Sequence, residues 1–193
     1  MKKPLRSLIL IVLAIVIVGA GAYAFFAKKA LSPTDDQVQV PSDSESYADT
    51  EHGISFSYPE GYVKTEQEVG NGEREHHMIM LVRKGDEVPP VNGEGPVAIT
   101  IDIYDNSVDK LSVMDWMKGA NQSNFKLGPG TYDTRQIAGE TAYSYTWSGL
   151  YEGRTTVLAH GTDIVAISVT YMDPSDDILV AFDDVVASLR FSK

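Results

Sequence analysis

The sequence predicts an α+β fold, in which helices cover a largely antiparallel sheet. Most of the chain consists of short stretches in which apolar and polar residues alternate, separated by turns rich in glycine and proline, as is typical of strands. Two stretches instead place apolar residues three and four positions apart, which is typical of amphipathic helices. The order is three strands, a helix, about four strands and a final helix. At 193 residues, the chain has room for one ordinary domain and an appendage.

Three predicted strands come first. Residues 54–58 alternate Ile, Phe and Tyr with serine, and the run ends at a proline and a glycine. Residues 76–82 form a second strand with apolar residues on both faces. A loop of glycine, proline and acidic residues follows over 85–96, and residues 97–104 then place Val and Ile at alternate positions.

A short helix and a strand-rich region follow. Ser112 and Asp115 have the spacing of a capping box, with Asp in place of the usual Glu, and apolar residues follow at helical spacing. Strands are predicted over residues 132–137, 141–147, 155–160 and 163–171. Glycines separate these strands, so each is expected to pair with its neighbour in the chain as a meander.

The last element is predicted to be a helix that packs on the sheet. Asp173 is a suitable N-cap and Pro174 is favoured at the first helical position, with two further acids in the first turn. The apolar residues that share one face of this helix are Ile178, Leu179, Phe182, Val185, Val186 and Leu189. Asp183 and Asp184 fall on the opposite face.

The N-terminal residues predict a membrane segment. Residues 8–27 contain no charged residue, and twenty helical residues span about 30 Å, the thickness of the hydrocarbon core of a bilayer. Basic residues flank the run on both sides, and the larger positive charge before it favours a cytoplasmic N-terminus. We therefore expect residues 1–30 to form a cytoplasmic tip and a signal anchor in the lipid bilayer. The alternative is a cleaved signal peptide, because Ala20 to Ala24 include small-x-small cleavage patterns.

Charge separates this segment from the rest of the chain. Residues 31–48 are rich in Ser, Asp and Pro and are predicted to be a flexible linker, so the domain is expected to span residues 49–193. Beyond residue 30 the chain carries 27 acidic and 11 basic residues. This acidity argues against nucleic acid as a partner. The chain has no Cys, which excludes disulfides, thiol nucleophiles and thiolate metal sites.

Several polar residues are candidate ligands for a metal ion. His76 and His77 follow Glu73 and Glu75, but neighbouring residues of a strand point to opposite faces, so both histidines cannot easily bind one metal. One of them could join Glu75 or a loop acid at a metal, but the exposed polar start of a strand is the simpler interpretation. His52 and His160 stand alone in the sequence. The acids Asp173, Asp176 and Asp177 lack the calcium-loop pattern and are explained by helix capping.

The remaining motifs assign no active site. Tyr143, Tyr145 and Trp147 share one strand face, where sheet core is the simpler interpretation and the floor of a ligand groove the alternative. The sequence motifs of serine hydrolases and zinc proteases do not occur. The sequence therefore assigns no catalytic, cofactor-binding or metal-binding residue, and it predicts no cofactor and no enzymatic activity.

Four segments are distinctive together: Gly53-Ile-Ser-Phe-Ser-Tyr-Pro59, residues 137–143, the hairpin over 151–171 and the closing 182–191. They resemble the PsbP-like domain family, relatives of the extrinsic PsbP subunit of the photosynthetic oxygen-evolving complex, and the resemblance covers residues 49–193. It implies an α/β/α sandwich around an antiparallel sheet. It also implies a binding or assembly module, since members of this family mostly look like such modules.

These observations predict a membrane-anchored, extracytoplasmic, non-catalytic binding or assembly module with a protein partner in or near the membrane. Two alternatives remain open. One is an exported hydrolase with a convergent site, and the other is an exported domain that binds a metal or small ligand.

Overall fold

Ten strands form two antiparallel sheets in the computed structural model, which describes residues 43–70, 74–86 and 94–192. The strands are β1 (Ser44–Asp49), β2 (Ile54–Pro59), β3 (Tyr62–Glu68), β4 (His76–Arg83), β5 (Ile99–Asp105), β6 (Asp133–Ile137), β7 (Glu140–Ser148), β8 (Glu152–His160), β9 (Asp163–Tyr171) and β10 (Arg190–Phe191). Helices are α1 (Val113–Gly119) and α2 (Ile178–Ser188), with a 3-10 turn at Asn124–Leu127.

The predicted membrane segment at residues 8–27 lies outside the described residues. Within the described ranges, no helix combines the length and the apolar character needed to cross a bilayer.

The larger sheet has seven strands in the order β3-β4-β5-β9-β8-β7-β6. The meander of β6 to β9 pairs as its glycine-punctuated sequence predicts, and β5 joins β9 along its whole length. The strand pattern and the two helices confirm the α+β class.

Two apolar clusters lie on opposite faces of this sheet, because strand residues alternate between faces. Val165 and Val169 of β9 belong to the cluster that includes α2 and β2, whereas Ile164 and Ala166 belong to the cluster that includes α1 and the 3-10 turn. Helix α2 packs against β2 and β9, so the three-stranded sheet β1-β2-β10 and α2 cover one face together. Helices thus lie on both faces of the larger sheet, as the resemblance implied.

Helix α1 starts as its sequence predicts. The Ser112 hydroxyl accepts a hydrogen bond from the Asp115 N–H at 3.1 Å and donates one to the Asp115 carboxylate at 2.6 Å. The first bond is the N-cap half of a capping box, whereas the Asp115 carboxylate accepts from the Ser112 hydroxyl rather than from its backbone N–H.

Helix α2 starts later than predicted, so the assignment of Asp173 as its cap is wrong. The Asp173 carboxylate accepts from the N–H of Ser175 at 2.8 Å and closes a turn that precedes the helix. The first helical residue is Ile178, whose N–H bonds to the Asp176 carboxylate at 3.2 Å. Arg83 of β4 contacts Asp176 and Asp177, which keeps both acids at the sheet and places the helix start after them.

Ordered structure also begins before the expected domain boundary. Residues 44–48, placed in the linker by their composition, belong to β1, which pairs with β2 from Ser44↔Pro59 to Asp49↔Ile54. Glu45, Ser46 and Ala48 of this strand are exposed, and Tyr47 alone among its residues is buried in the core. The rest of the predicted linker lies outside the described residues.

Candidate functional site

The chain's four histidines meet at one end of the larger sheet. In the strand register, His76 of β4 lies opposite Tyr104 of β5. The next residue of β5, Asp105, lies opposite Asp163 of β9, and Asp163 lies opposite His160 of β8. The turn between β1 and β2 brings the fourth, His52, to the same end, where its ring stacks on that of His77 at a centroid distance of 4.7 Å. This end of the sheet therefore carries all four imidazole side chains of the chain.

Asp49, His52 and His77 form a tight cluster on the face that the smaller sheet covers. Potential ligand atoms of all three lie within 4.8 Å of one another. Asp49 Oδ2 is 2.5 Å from His52 Nδ1 and 4.0 Å from His77 Nε2. Glu68, opposite His77 in β3, contacts the second ring nitrogen of His77, Nδ1, at 2.5 Å. Asp49, His52 and His77 are the donor set of a candidate metal centre, and we call them the Asp49–His52–His77 cluster.

Two acids at this cluster, Asp49 and Glu66, have pKa values below their usual range. Burial alone would raise the pKa of Asp49, but hydrogen bonds from the His52 side chain and from two backbone N–H groups hold it below its usual value. The pKa of Glu66 is also lowered, chiefly by its contact with Lys64 and also by the Tyr47 hydroxyl that donates to it at 2.9 Å. Burial and the Glu66 carboxylate raise the pKa of Tyr47 in turn, so its hydroxyl stays protonated.

On the opposite face of the sheet, His76 lines an open cleft of about 610 Å³. The His76 ring stacks on Tyr104 at 4.2 Å, and its Nε2 lies 2.7 Å from a carboxylate oxygen of Asp102. Trp116 of α1 contacts Tyr104 at a ring distance of 5.1 Å. Aromatic rings therefore form the floor of this cleft, which we call the Tyr104–Trp116 cleft.

The rim of the cleft is acidic and partly apolar. Among its lining residues, four carry carboxylates, namely Glu75, Asp105, Asp109 and Asp115, and Arg74 carries a positive charge. Arg74 forms a bidentate pair with Asp109 at 2.6 and 2.8 Å. Val69 and Leu111 also line the cleft and leave 50% and 37% of their surfaces exposed. Such a surface suits a partner that is both apolar and basic.

The histidine contacts do not resemble those of a serine hydrolase. In the described part of the chain, the hydrogen bonds of His52, His76 and His77 go to carboxylates. Activation of a serine or threonine nucleophile requires a hydrogen bond between its hydroxyl and the base. The geometry around these three histidines is that of contacts with carboxylates.

The structure separates the other candidates. Asp173 closes its own turn, while Asp176 and Asp177 contact Arg83, so these acids do not gather around a common point. Tyr145 is buried against Phe125, and Tyr143 and Trp147 pack partly exposed in the same cluster, in agreement with the sheet-core interpretation.

Two candidates from the sequence remain, His160 and Glu73. His160 stacks on Phe191 at 3.9 Å, and its Nδ1 lies 3.8 Å from Glu140. Glu73, considered with His76 and His77, lies outside the described residues.

The cluster contains partners that sequence spacing does not reveal. His52 and His77 are 25 positions apart, and β3, which supplies Glu66 and Glu68, was not predicted as a strand. The alternation rule did separate His76 from His77 correctly, one on each face. Only the docking of the β1–β2 turn on β4 identifies His52 and Asp49 as the partners of His77.

Comparison with known proteins identifies the fold. No protein-family description matches the sequence, and no curated protein matches it significantly. Among solved structures, the chain is similar to that of cyanobacterial PsbP (CyanoP) from Synechocystis sp. PCC 6803, with a TM-score of 0.52 and 15% identity. The match covers 78% of this chain and 93% of that chain. The fold is therefore PsbP-like.

A second similar structure comes from Bacteroides thetaiotaomicron VPI-5482, with a TM-score of 0.49 and 13% identity. The match covers 78% of this chain and 49% of that chain, so the present chain spans about half its length.

Proposed function

We propose that this chain is a membrane-anchored extracytoplasmic module that binds a protein partner through the Tyr104–Trp116 cleft and does not catalyse a reaction. The observation that carries the proposal is the cleft itself, which combines exposed apolar side chains with four carboxylates around an aromatic floor. Binding surfaces of this kind recognise apolar and basic groups without needing a reactive side chain.

The layout of the chain supports the location. An uncharged run at residues 8–27 flanked by basic residues precedes a domain with a large excess of acids. Anionic lipid headgroups repel an acidic domain, so the cleft would stand away from the bilayer and remain open to a partner.

The lack of native cysteine allows a direct test of the location. In the full chain, Val180→Cys places a single thiol on the exposed side of α2, where Val180 is 64% exposed. We expect a membrane-impermeant maleimide to label this thiol on intact cells and the labelled chain to stay in the membrane fraction. Labelling only after lysis, or a mature chain that begins near Phe25, would contradict the anchored extracytoplasmic topology.

The cleft is tested by crosslinking. Val69→Cys places the thiol on the rim of the cleft, and Val180→Cys is the matched control because it replaces an equally small, exposed residue on another surface. With a thiol-linked photocrosslinker, we expect a discrete adduct from position 69 that weakens as salt concentration rises, and none from position 180. Identical adducts from both positions would argue against the cleft as the binding surface.

An exported hydrolase remains the alternative of another class. Purified full-length chain in detergent should not turn over ester, peptide or glycoside substrates. Robust turnover that is abolished by replacing one serine or histidine would overturn the non-catalytic part of the proposal.

A further inference from the structure

The Asp49–His52–His77 cluster joins the two sheets. Asp49 ends β1 and His52 lies in the turn before β2, so both belong to the three-stranded sheet. His77 belongs to β4 of the seven-stranded sheet, as Glu66 and Glu68 belong to its neighbour β3. Side chains from separate sheets therefore meet at this point because the sheets pack together, and not because the residues are close in sequence.

Asp49 presents one oxygen to the cluster. Its Oδ1 accepts hydrogen bonds from the backbone N–H groups of Glu51 at 2.8 Å and His52 at 3.2 Å. These bonds fix the carboxylate and leave Oδ2 directed at the two imidazole rings. A ligand oxygen is thus oriented by the turn, which lowers the entropy lost on binding an ion.

His77 has an unpaired nitrogen directed into the same space. The residue is only 7% exposed, and its Nε2 has no hydrogen-bond partner. The nearest charged atoms are Glu66 Oε2 at 3.6 Å and Asp49 Oδ2 at 4.0 Å, which are both acceptors. Because a carboxylate only accepts, the contact with Glu68 selects the tautomer of a neutral imidazole that has its proton on Nδ1 and its lone pair on Nε2.

A lone pair buried among carboxylate oxygens is unfavourable without a cation between them. A neutral histidine that donates from one nitrogen to a carboxylate and coordinates with the other is the common arrangement of a metal-bound histidine. Two imidazoles and a carboxylate are the donors that Zn²⁺ and its first-row neighbours accept, whereas Ca²⁺ and Mg²⁺ prefer oxygen ligands alone.

We propose that Asp49, His52 and His77 bind a divalent first-row transition metal ion of the Zn²⁺ class, with Glu66 available as a further ligand and Glu68 orienting His77. Tetrahedral ligands about 2.1 Å from zinc lie about 3.4 Å apart. The spacings of 2.5 to 4.0 Å between Asp49 Oδ2 and the histidine nitrogens bracket this value. A bound ion would replace the hydrogen bond between His52 Nδ1 and Asp49 Oδ2. The bound ion would connect the two sheets and stabilise their packing, independently of the membrane anchor and of the cleft.

The test titrates metal-free, full-length, tag-free chain in detergent with Zn²⁺ against a chromogenic chelator. We expect one ion per chain and a raised thermal midpoint when zinc is bound, because the ion binds only the folded arrangement. Co²⁺ should bind with a visible absorption band that Zn²⁺ removes, and Ca²⁺ and Mg²⁺ in excess should not compete.

Variants locate the ion. His77→Gln and His52→Gln should each weaken zinc binding by at least about 100-fold, and Glu68→Gln by about 10- to 100-fold through loss of orientation. His76→Gln is the matched control, since it changes the adjacent residue of the same strand on the opposite face and should leave the affinity unchanged.

Thermal unfolding in the presence of a chelator distinguishes lost ligands from lost structure. The variants should retain cooperative transitions and lose only the increase that zinc gives to the native chain. The proposal is overturned if the native chain binds no zinc, if the double variant His52→Gln/His77→Gln binds as tightly as the native chain, or if His76→Gln weakens binding as much as His77→Gln.

Discussion

Phe182 is the residue on which the packing of α2 most depends. It is fully buried in the cluster shared by α2, β2 and the larger sheet, and the Arg154 guanidinium covers its ring at 4.6 Å. The prediction from helical spacing that Phe182 faces the sheet is therefore confirmed. On the same helix, Val180 points outward.

Replacing Phe182 with Ala should lower the free energy of unfolding by about 3–5 kcal/mol, through lost transfer energy and a cavity. Val180→Ala in the same helix should change it by less than about 0.5 kcal/mol. Chemical denaturation of both variants measures the difference. Similar effects at the two positions would contradict the burial of this face.

The contact between Asp176 and Arg83 makes the stability of the fold depend on pH. Burial alone would raise the pKa of Asp176, but the Ile178 N–H and the Arg83 guanidinium hold it below its usual value. Because the folded-state pKa is the lower one, this contribution to stability is complete above the unfolded pKa of about 4 and is lost as pH falls through the folded value.

We expect Asp176→Asn to be less stable than the native chain at pH 7 and to differ from it less at pH 2. Thermal unfolding between these limits measures the change. A difference that stays constant across this range would show that the carboxylate charge is not what stabilises the contact with Arg83.

At the scale of elements, one hydroxyl links α2 to the smaller sheet. Ser188 Oγ accepts from the Ser57 N–H of β2 at 2.9 Å and lies 3.1 Å from the Ser57 carbonyl. β10 pairs with β2 only at Ser55 and Ile54, so the helix side chain replaces a neighbouring strand beyond that point.

Ser188→Ala should lower the free energy of unfolding by about 1–2 kcal/mol, because the half-buried Ser57 N–H loses its partner. Ser148→Ala removes an exposed hydroxyl that donates to Glu152 and should cost less than about 0.5 kcal/mol. Urea unfolding curves compare the two. An equal, small effect would mean that water replaces Ser188 without cost.

Elements with a strong hydrophobic period were predictable from sequence, and elements defined by their partners were not. β9 occupies the predicted residues 163–171, and α1 begins at its predicted cap. β1 and β3 were not predicted because polar residues occupy most of their positions and hide the apolar alternation. Their pairing with β2 and β4 makes them strands. The candidate metal cluster was not predicted for the same reason. Asp49 and His52 reach His77 only because the turn between β1 and β2 packs against the larger sheet, and the sequence does not reveal that contact.

At the scale of the whole molecule, the position of β1 decides where an independent domain can start. A fragment of residues 43–193 keeps β1 and the buried Tyr47, whereas one of residues 50–193 removes both. The second fragment also exposes the edge of β2 that β1 pairs with.

We expect the longer fragment to unfold in one cooperative transition and the shorter one to have a lower midpoint or to aggregate. Calorimetry and light scattering on the two fragments test this. Equal midpoints would show that β1 contributes nothing to the core.

Strand β10 has a consequence for the order in which the polypeptide acquires its structure. β2, near the start of the described chain, pairs with β10 at residues 190–191, and β5 must wait for β9, more than fifty positions later. Contacts between such distant residues slow folding and cannot form before the later strand of each pair has been made. The local pairs β1–β2, β3–β4 and β4–β5 can form first, and both sheets are completed only after residues 163–191 have been made.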